Sequence, residues 1–210
     1  MPMNIVFDFG AVVFSWRPDD IVRGIFPQRA ATAQDAHTLA GQIFHHEDWQ
    51  NFDRGTIEQA ALIERTAQRL HLPHAAMHSL VQSIPQHLTP IPGTVELLTR
   101  LRDRRDQQGD IRLYFLSNMP APYARILEQR HHFLQWFDGG MFSADVKTVK
   151  PQPEIFRMLE SRYGLLPART VFIDDLPANV AAARSHGWHA IHFESATQLE
   201  PLLATHITSQ

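Results

Sequence analysis

Short apolar runs alternate along this chain with longer stretches in which apolar residues recur at helical spacing. The runs fall at residues 4–9 (Asn-Ile-Val-Phe-Asp-Phe), 111–116 (Ile-Arg-Leu-Tyr-Phe-Leu), 170–173 (Thr-Val-Phe-Ile) and, more briefly, 188–193. Nearly continuous apolarity over so few residues is the pattern of a strand covered on both faces. Between them, 93–105, 121–131, 153–163, 177–186 and 196–204 predict helices. Strands alternating with helices predict right-handed crossovers and a parallel sheet, an α/β fold of the doubly wound kind.

Residues 16–88 break this alternation. They contain no convincing strand and read as several amphipathic helices, with Ile57 to Leu70 the clearest. The stretch ends in Thr89-Pro90-Ile91-Pro92-Gly93, a composition suited to a hinge. The expected organisation is a core built from residues 1–15 and 89–210, interrupted after its first strand by a helical unit at 16–88.

Composition narrows the chemistry more than the fold. Of the 210 residues, 44% are hydrophobic and 20% charged, as in ordinary globular proteins. The formal net charge of −3 provides no general field for nucleic acid, so no nucleic-acid partner is expected. The chain has no cysteine, which excludes disulfides, thiolate catalysis and cysteine-ligated zinc. No leader-like segment or membrane-length apolar run is visible, so a cytoplasmic, membrane-independent protein is expected. Thirteen histidines invite a metal reading. They fall as adjacent pairs such as His45-His46 and His131-His132, however, and neighbours in sequence point in different directions. Surface or satisfied interior histidines are the better account.

In an open parallel sheet, ligands bind at the carboxyl ends of the strands. Polar residues follow the predicted strands there: Asp8, Ser117-Asn118 and Asp174-Asp175, with Lys150-Pro151 expected at the end of a further strand. Each has an ordinary reading. Asp8 could cap a helix, Ser117-Asn118 could form a turn, and Lys150 could be a solvated loop residue. Asp174-Asp175 is harder to dismiss, because adjacent carboxylates repel. The ordered combination is chemically coherent. Carboxylates from two strand ends suit Mg2+, and a serine hydroxyl with backbone amides suits phosphate. A lysine offsets phosphoryl charge, and a carboxylate can act as nucleophile.

The order Phe-Asp-x-x-x-Val, Leu-Ser-Asn, Lys-Pro-x-Pro-x-Ile-Phe and Phe-Ile-Asp-Asp-x-x-x-Asn resembles the four motifs of haloacid dehalogenase superfamily hydrolases. The resemblance extends over nearly the whole chain, including Pro92-Gly93 with Val95-Glu96-Leu97-Leu98 and the helix from Asn179 to Gly187. It implies a Rossmann-like core with a small four-helix-bundle cap. Trp49 and Phe52-Asp53-Arg54-Gly55-Thr56-Ile57 resemble the cap segment of the branch acting on glucose 1-phosphate. The resemblance further implies a Mg2+-dependent phosphatase of small phosphorylated metabolites. Asp8 would be nucleophile and metal ligand, the Gly10 carbonyl and Asp174 further ligands, and Asp175 a direct or water-mediated one. Ser117 and Asn118 would bind phosphate, and Lys150 would bridge phosphate and Asp8.

One position departs from the common family pattern. Most phosphatases of the family carry a second aspartate two residues after the nucleophile, as general acid and base, where this chain has Gly10. Such a proton carrier contributes about 10²–10⁴-fold in rate. The glucose 1-phosphate branch shares the glycine; a good leaving group, or a surrogate acid such as His46 or Asp53, would ease the loss. Two other functions compete. Metal-independent 2-haloacid dehalogenation uses the same nucleophile, but the family's dehalogenases lack the acidic pair found here at Asp174-Asp175. A binding or regulatory module is supported only by Gly10, and a buried charged cluster without a ligand is costly. Trp49 is expected in the interior of the cap in preference to a substrate wall. Substrate identity and oligomeric state are not legible from these residues.

Overall fold

The computed structural model describes residues 1–208. The first strand, β1 (Met3–Phe7), is buried throughout. The chain then leaves the sheet for five helices: α1 (Pro18–Ile25), α2 (Ala33–Phe44), α3 (Glu47–Asp53), α4 (Gln59–Leu70) and α5 (His74–His87). It returns through α6 (Pro92–Gln108) to β2 (Ile111–Ser117), α7 (Ala121–Arg130), β3 (Gly139–Phe142) and the single turn α8 (Ser143–Val146). There follow α9 (Pro153–Tyr163), β4 (Thr170–Asp174), α10 (Pro177–Ser185), β5 (His189–His192) and α11 (Ala196–Thr208).

All strand pairs are parallel, in the order β3-β2-β1-β4-β5. The order reverses beside β1, so the carboxyl ends of β1, β2 and β4 open into one crevice. Alternate residues of β1 face opposite layers. Ile5 and Phe7 join one apolar cluster, which includes Leu97 and Leu98 of α6, Leu127 of α7 and Leu199 of α11. Val6 joins the other, with Phe156 of α9, Phe172 of β4 and Val180 of α10. This is the doubly wound α/β fold expected from the alternating pattern.

The helical insert shares the first of these clusters. Val22, Leu39, Ile43, Leu62, Leu80 and Ile84 are contiguous with Phe7, Val171 and Leu127, so insert and sheet bury one apolar core. Its entry and exit run side by side: Ser15 N donates to Thr89 O at 2.7 Å and Ile91 N to Val13 O at 2.9 Å. The insert has five helices where a four-helix bundle is expected. The additional element is the seven-residue α3, whose first turn is capped by the His46 ring accepting from Asp48 N at 3.2 Å. Trp49 lies in the interior as expected, packed edge-on against Phe44 and Phe52.

The apolar pattern does not reveal β3, because the strand has four residues and begins with two glycines. Those glycines have a packing cause. A Cβ on Gly140 would come within 2.2 Å of the Phe115 ring, and one on Gly139 within 2.4 Å of Tyr163. Tyr163 then donates its hydroxyl to Gly140 O at 2.9 Å. Lys150 consequently does not end a strand. It follows β3 only after α8 and a loop.

Gly140→Ala should lower unfolding free energy by about 1–3 kcal/mol, the usual cost of overpacking. Gly24, inside α1, has open space around its missing Cβ. Gly24→Ala should therefore raise stability by roughly 0.5–1 kcal/mol, as in other exposed helix interiors. Urea denaturation of the two variants beside the parent checks both signs.

Candidate active site

The residues of interest converge because β1, β2 and β4 end at one level. Asp8 continues the ladder one step beyond β1, its N–H donating to Ile173 O at 2.9 Å. The chain then turns sharply: Phe9 O accepts from the N–H groups of Val12, Val13 and Phe14, with Ala11 in the left-handed region at φ 57°. This turn leaves the Asp8 carboxylate at the head of the crevice, its Oδ1 accepting from Phe9 N at 2.7 Å. Gly10 lies in the turn with a negative φ, and a Cβ added there would meet nothing within 4 Å.

Lys150 is the hub. Its ammonium lies 2.9 Å from Asp8 Oδ1 and 2.7 Å from Asp174 Oδ2, and its side chain is only 1% exposed. The loop carrying it is pinned by Asn118 at the end of β2. Asn118 Oδ1 accepts from Lys150 N at 2.8 Å, and Asn118 Nδ2 donates to Lys150 O at 3.0 Å. Where phosphate contact is expected of Asn118, both of its polar side-chain atoms hold the Lys150 main chain. Ser117, next to it, is buried at the end of β2.

Asp174 is held from the other side. Leu176 N donates to its Oδ1 at 2.8 Å, and Asn179 Nδ2 lies 3.0 Å from each carboxylate oxygen. Asn179 is assigned no role from sequence, although its fixed spacing from Asp174 in the last motif marks it. Asp8, Asp174 and Asp175 each bring one oxygen within 4.8 Å of the others, the one such cluster among the described residues. Among the described residues the histidine pairs form no such group.

The electrostatics follow from charge counting. Three carboxylates surround one ammonium, leaving two uncompensated negative charges. Burial pushes the Asp8 carboxyl up to about 7; Lys150 opposes the shift, while Asp174 and Asp175 add to it. Burial and then Asp174 raise Asp175 to about 6. Burial works against the charge on Lys150, but Asp174 and Asp8 outweigh it and raise its pKa, so the ammonium stays protonated. A hard divalent cation suits this donor set in both charge and ligand type.

The insert contributes to the same crevice through the end of α3. Ser143 Oγ, at the start of α8, donates to Asp53 O at 2.5 Å and accepts from Met119 N at 2.9 Å. Lys147 Nζ donates to Gly55 O at 2.7 Å, and Gly55 adopts φ +69° against Ala144. These bonds clasp residues 53–55 of the insert to the core beside Asn118. The Asp53 carboxyl is pushed up to about 8 by burial first, then by the charge of Asp8, with Lys150 opposing. Sequence reading misses Ser143 and Lys147 because α8 depends on the unrecognised β3.

Comparison with known proteins places the family and the fold. The model for haloacid dehalogenase-like hydrolases matches residues 5–187. The chain is 28% identical over 187 residues to a sesquiterpene phosphatase of Aspergillus oryzae, covering 89% of this chain and 87% of that protein. It is 30% identical over 101 residues to a phosphorylated carbohydrates phosphatase of Thermotoga maritima, covering 48% of this chain and 44% of that one. Among solved structures, a haloacid dehalogenase family enzyme of Bacteroides thetaiotaomicron in complex with magnesium and inorganic phosphate superposes with a TM-score of 0.72. The two chains are 18% identical, with 96% of this chain and 99% of the other covered, a likeness of fold. The motif order, the crevice it builds and a family match over most of its length together show that the chain belongs to the haloacid dehalogenase-like hydrolases.

Proposed function

We propose that this hydrolase cleaves phosphate monoesters of a small metabolite, such as a sugar phosphate, through an aspartyl-phosphate formed on Asp8 with Mg2+ bound beside it. The observation carrying the reading is the buried Asp8–Lys150–Asp174 chain with Asp175 beside it, three carboxylates against one ammonium. Asp8, Asp174, Asp175 and the Gly10 carbonyl are the groups that would hold the cation. When bound, it would supply positive charge against the phosphoryl oxygens. Lys150 favours the ionised form of Asp8 against the effect of burial and orients it for attack, while offering the substrate a positive charge. Asp174, fixed by Asn179 and Leu176, holds Lys150 in turn. Ser117, with amides near the β2 end, is the proposed phosphate contact.

The acidic pair favours this chemistry over metal-independent attack on carbon. In the same reading residues 16–88 act as a cap over the crevice, and residues 1–15 with 89–210 as the catalytic core. An apolar alcohol is a second reading of the leaving group, favoured by the sesquiterpene phosphatase among the relatives.

Mg2+ binding should raise the melting temperature of the parent protein, because a ligand that binds the folded state stabilises it. Asp174→Asn should lose most of that rise while still folding. Thermal melts with Mg2+ and with EDTA measure both, and an Mg2+-independent melting temperature counts against the cation site.

Asp8→Asn should abolish phosphate release, since an amide matches the carboxylate in shape but cannot attack phosphorus. A phosphate-release assay over sugar, prenyl and aryl phosphates, with circular dichroism confirming the fold, makes the test. Hydrolysis surviving in Asp8→Asn overturns the mechanism.

A further inference from the structure

A proton carrier is missing from the core. Gly10 offers none, and neither steric crowding nor backbone angle requires glycine there. Two residues of the insert, His46 and Asp53, are candidates, and the structure separates them. The His46 ring is engaged at the start of α3, where Nδ1 accepts from Asp48 N. Asp53 is at the opposite end of that helix, clasped to the core by Ser143 and within the electrostatic reach of both Asp8 and Lys150.

Resting on the phosphatase reading, we propose that Asp53 supplies the proton that Gly10 cannot, acting as general acid and then general base. Three features of its placement support this. Asp53 closes α3, where the helix dipole disfavours a negative charge. Its carboxyl makes no ion pair or side-chain hydrogen bond among the described residues, so it has no structural duty to leave. The Ser143 and Lys147 bonds hold the main chain of residues 53–55 beside the Asn118–Lys150 bracket, so the core fixes where α3 ends at the crevice.

In the first half-reaction Asp8 Oδ attacks phosphorus and the P–O bond to the alcohol breaks. The departing alkoxide takes the Asp53 proton and leaves as the neutral alcohol. In the second, Asp53 carboxylate takes a proton from water as its oxygen attacks the aspartyl-phosphate. The P–O bond to Asp8 breaks, phosphate departs, and Asp53 is protonated again. One water is consumed per ester, and both aspartates return to their starting states.

The test is kcat/KM over phosphate esters graded by leaving-group acidity, from phenols to simple alcohols, with Mg2+ present. The parent should show a shallow dependence. Asp53→Asn should lose about 10²-fold or more on alkyl esters, within the range for general acid catalysis, and far less on esters of acidic phenols. Asp53→Ala repeats the test should the amide disturb packing, and Gly10→Asp added to either variant should restore alkyl ester turnover. A steep dependence in the parent, or an equal loss on every ester in the variants, overturns the assignment and leaves the phosphatase reading standing. A parent inactive on every ester overturns both.

Discussion

A buried ammonium between two carboxylates governs this molecule. Lys150 contacts Asp8 and Asp174 in a crevice from which water is largely excluded, and burying such charges is costly unless each is paired and hydrogen-bonded. The surroundings meet that condition on every side. Asn118 brackets the lysine main chain, Asn179 and Leu176 N hold Asp174, and Phe9 N meets Asp8. Pairing is nevertheless incomplete, since Asp175 adds a third carboxylate. Burial first, and the neighbouring carboxylates after it, displace Asp8 and Asp175 upward. An under-compensated cluster of carboxylates suits a hard divalent cation in charge and ligand type.

The helical insert does not stand apart from this cluster. Its apolar residues are continuous with one face of the sheet, and its link to the crevice is a set of directed polar bonds. Tyr123 of α7 adds another, its buried hydroxyl donating to Val81 O at 2.8 Å. The Ser143 and Lys147 bonds fix the main chain of residues 53–55 of the insert to the core beside the crevice. That matters most where the core lacks a group, as it does at Gly10.

Much of this is visible before folding is considered. Strand periods and helix periods differ, so the α/β alternation and the helical interruption after β1 follow from local pattern alone. The strand-end residues Asp8, Ser117 and Asp174 are legible because a parallel sheet forces such residues to one edge. Other features are hidden for equally physical reasons. β3 lacks an apolar signature because its glycines answer to Phe115 and Tyr163, which are distant in sequence. Asn118 reads as a turn residue in isolation and as a phosphate contact only through the family resemblance, and its hydrogen bonds to a main-chain segment 32 residues away are not visible in either reading.

The sequence by itself determined the fold class, the order of the motifs and the charge types gathered at the crevice, because these depend on residue identity and short-range periodicity. Only the tertiary structure decided which carboxylates share Lys150, that Asn118 and Asn179 serve as brackets, and that the Asp53 end of α3, in preference to the His46 end, is clasped to the core. Those choices rest on distances between segments far apart in the chain. Such distances are set by packing across the sheet and insert, and no local pattern encodes them.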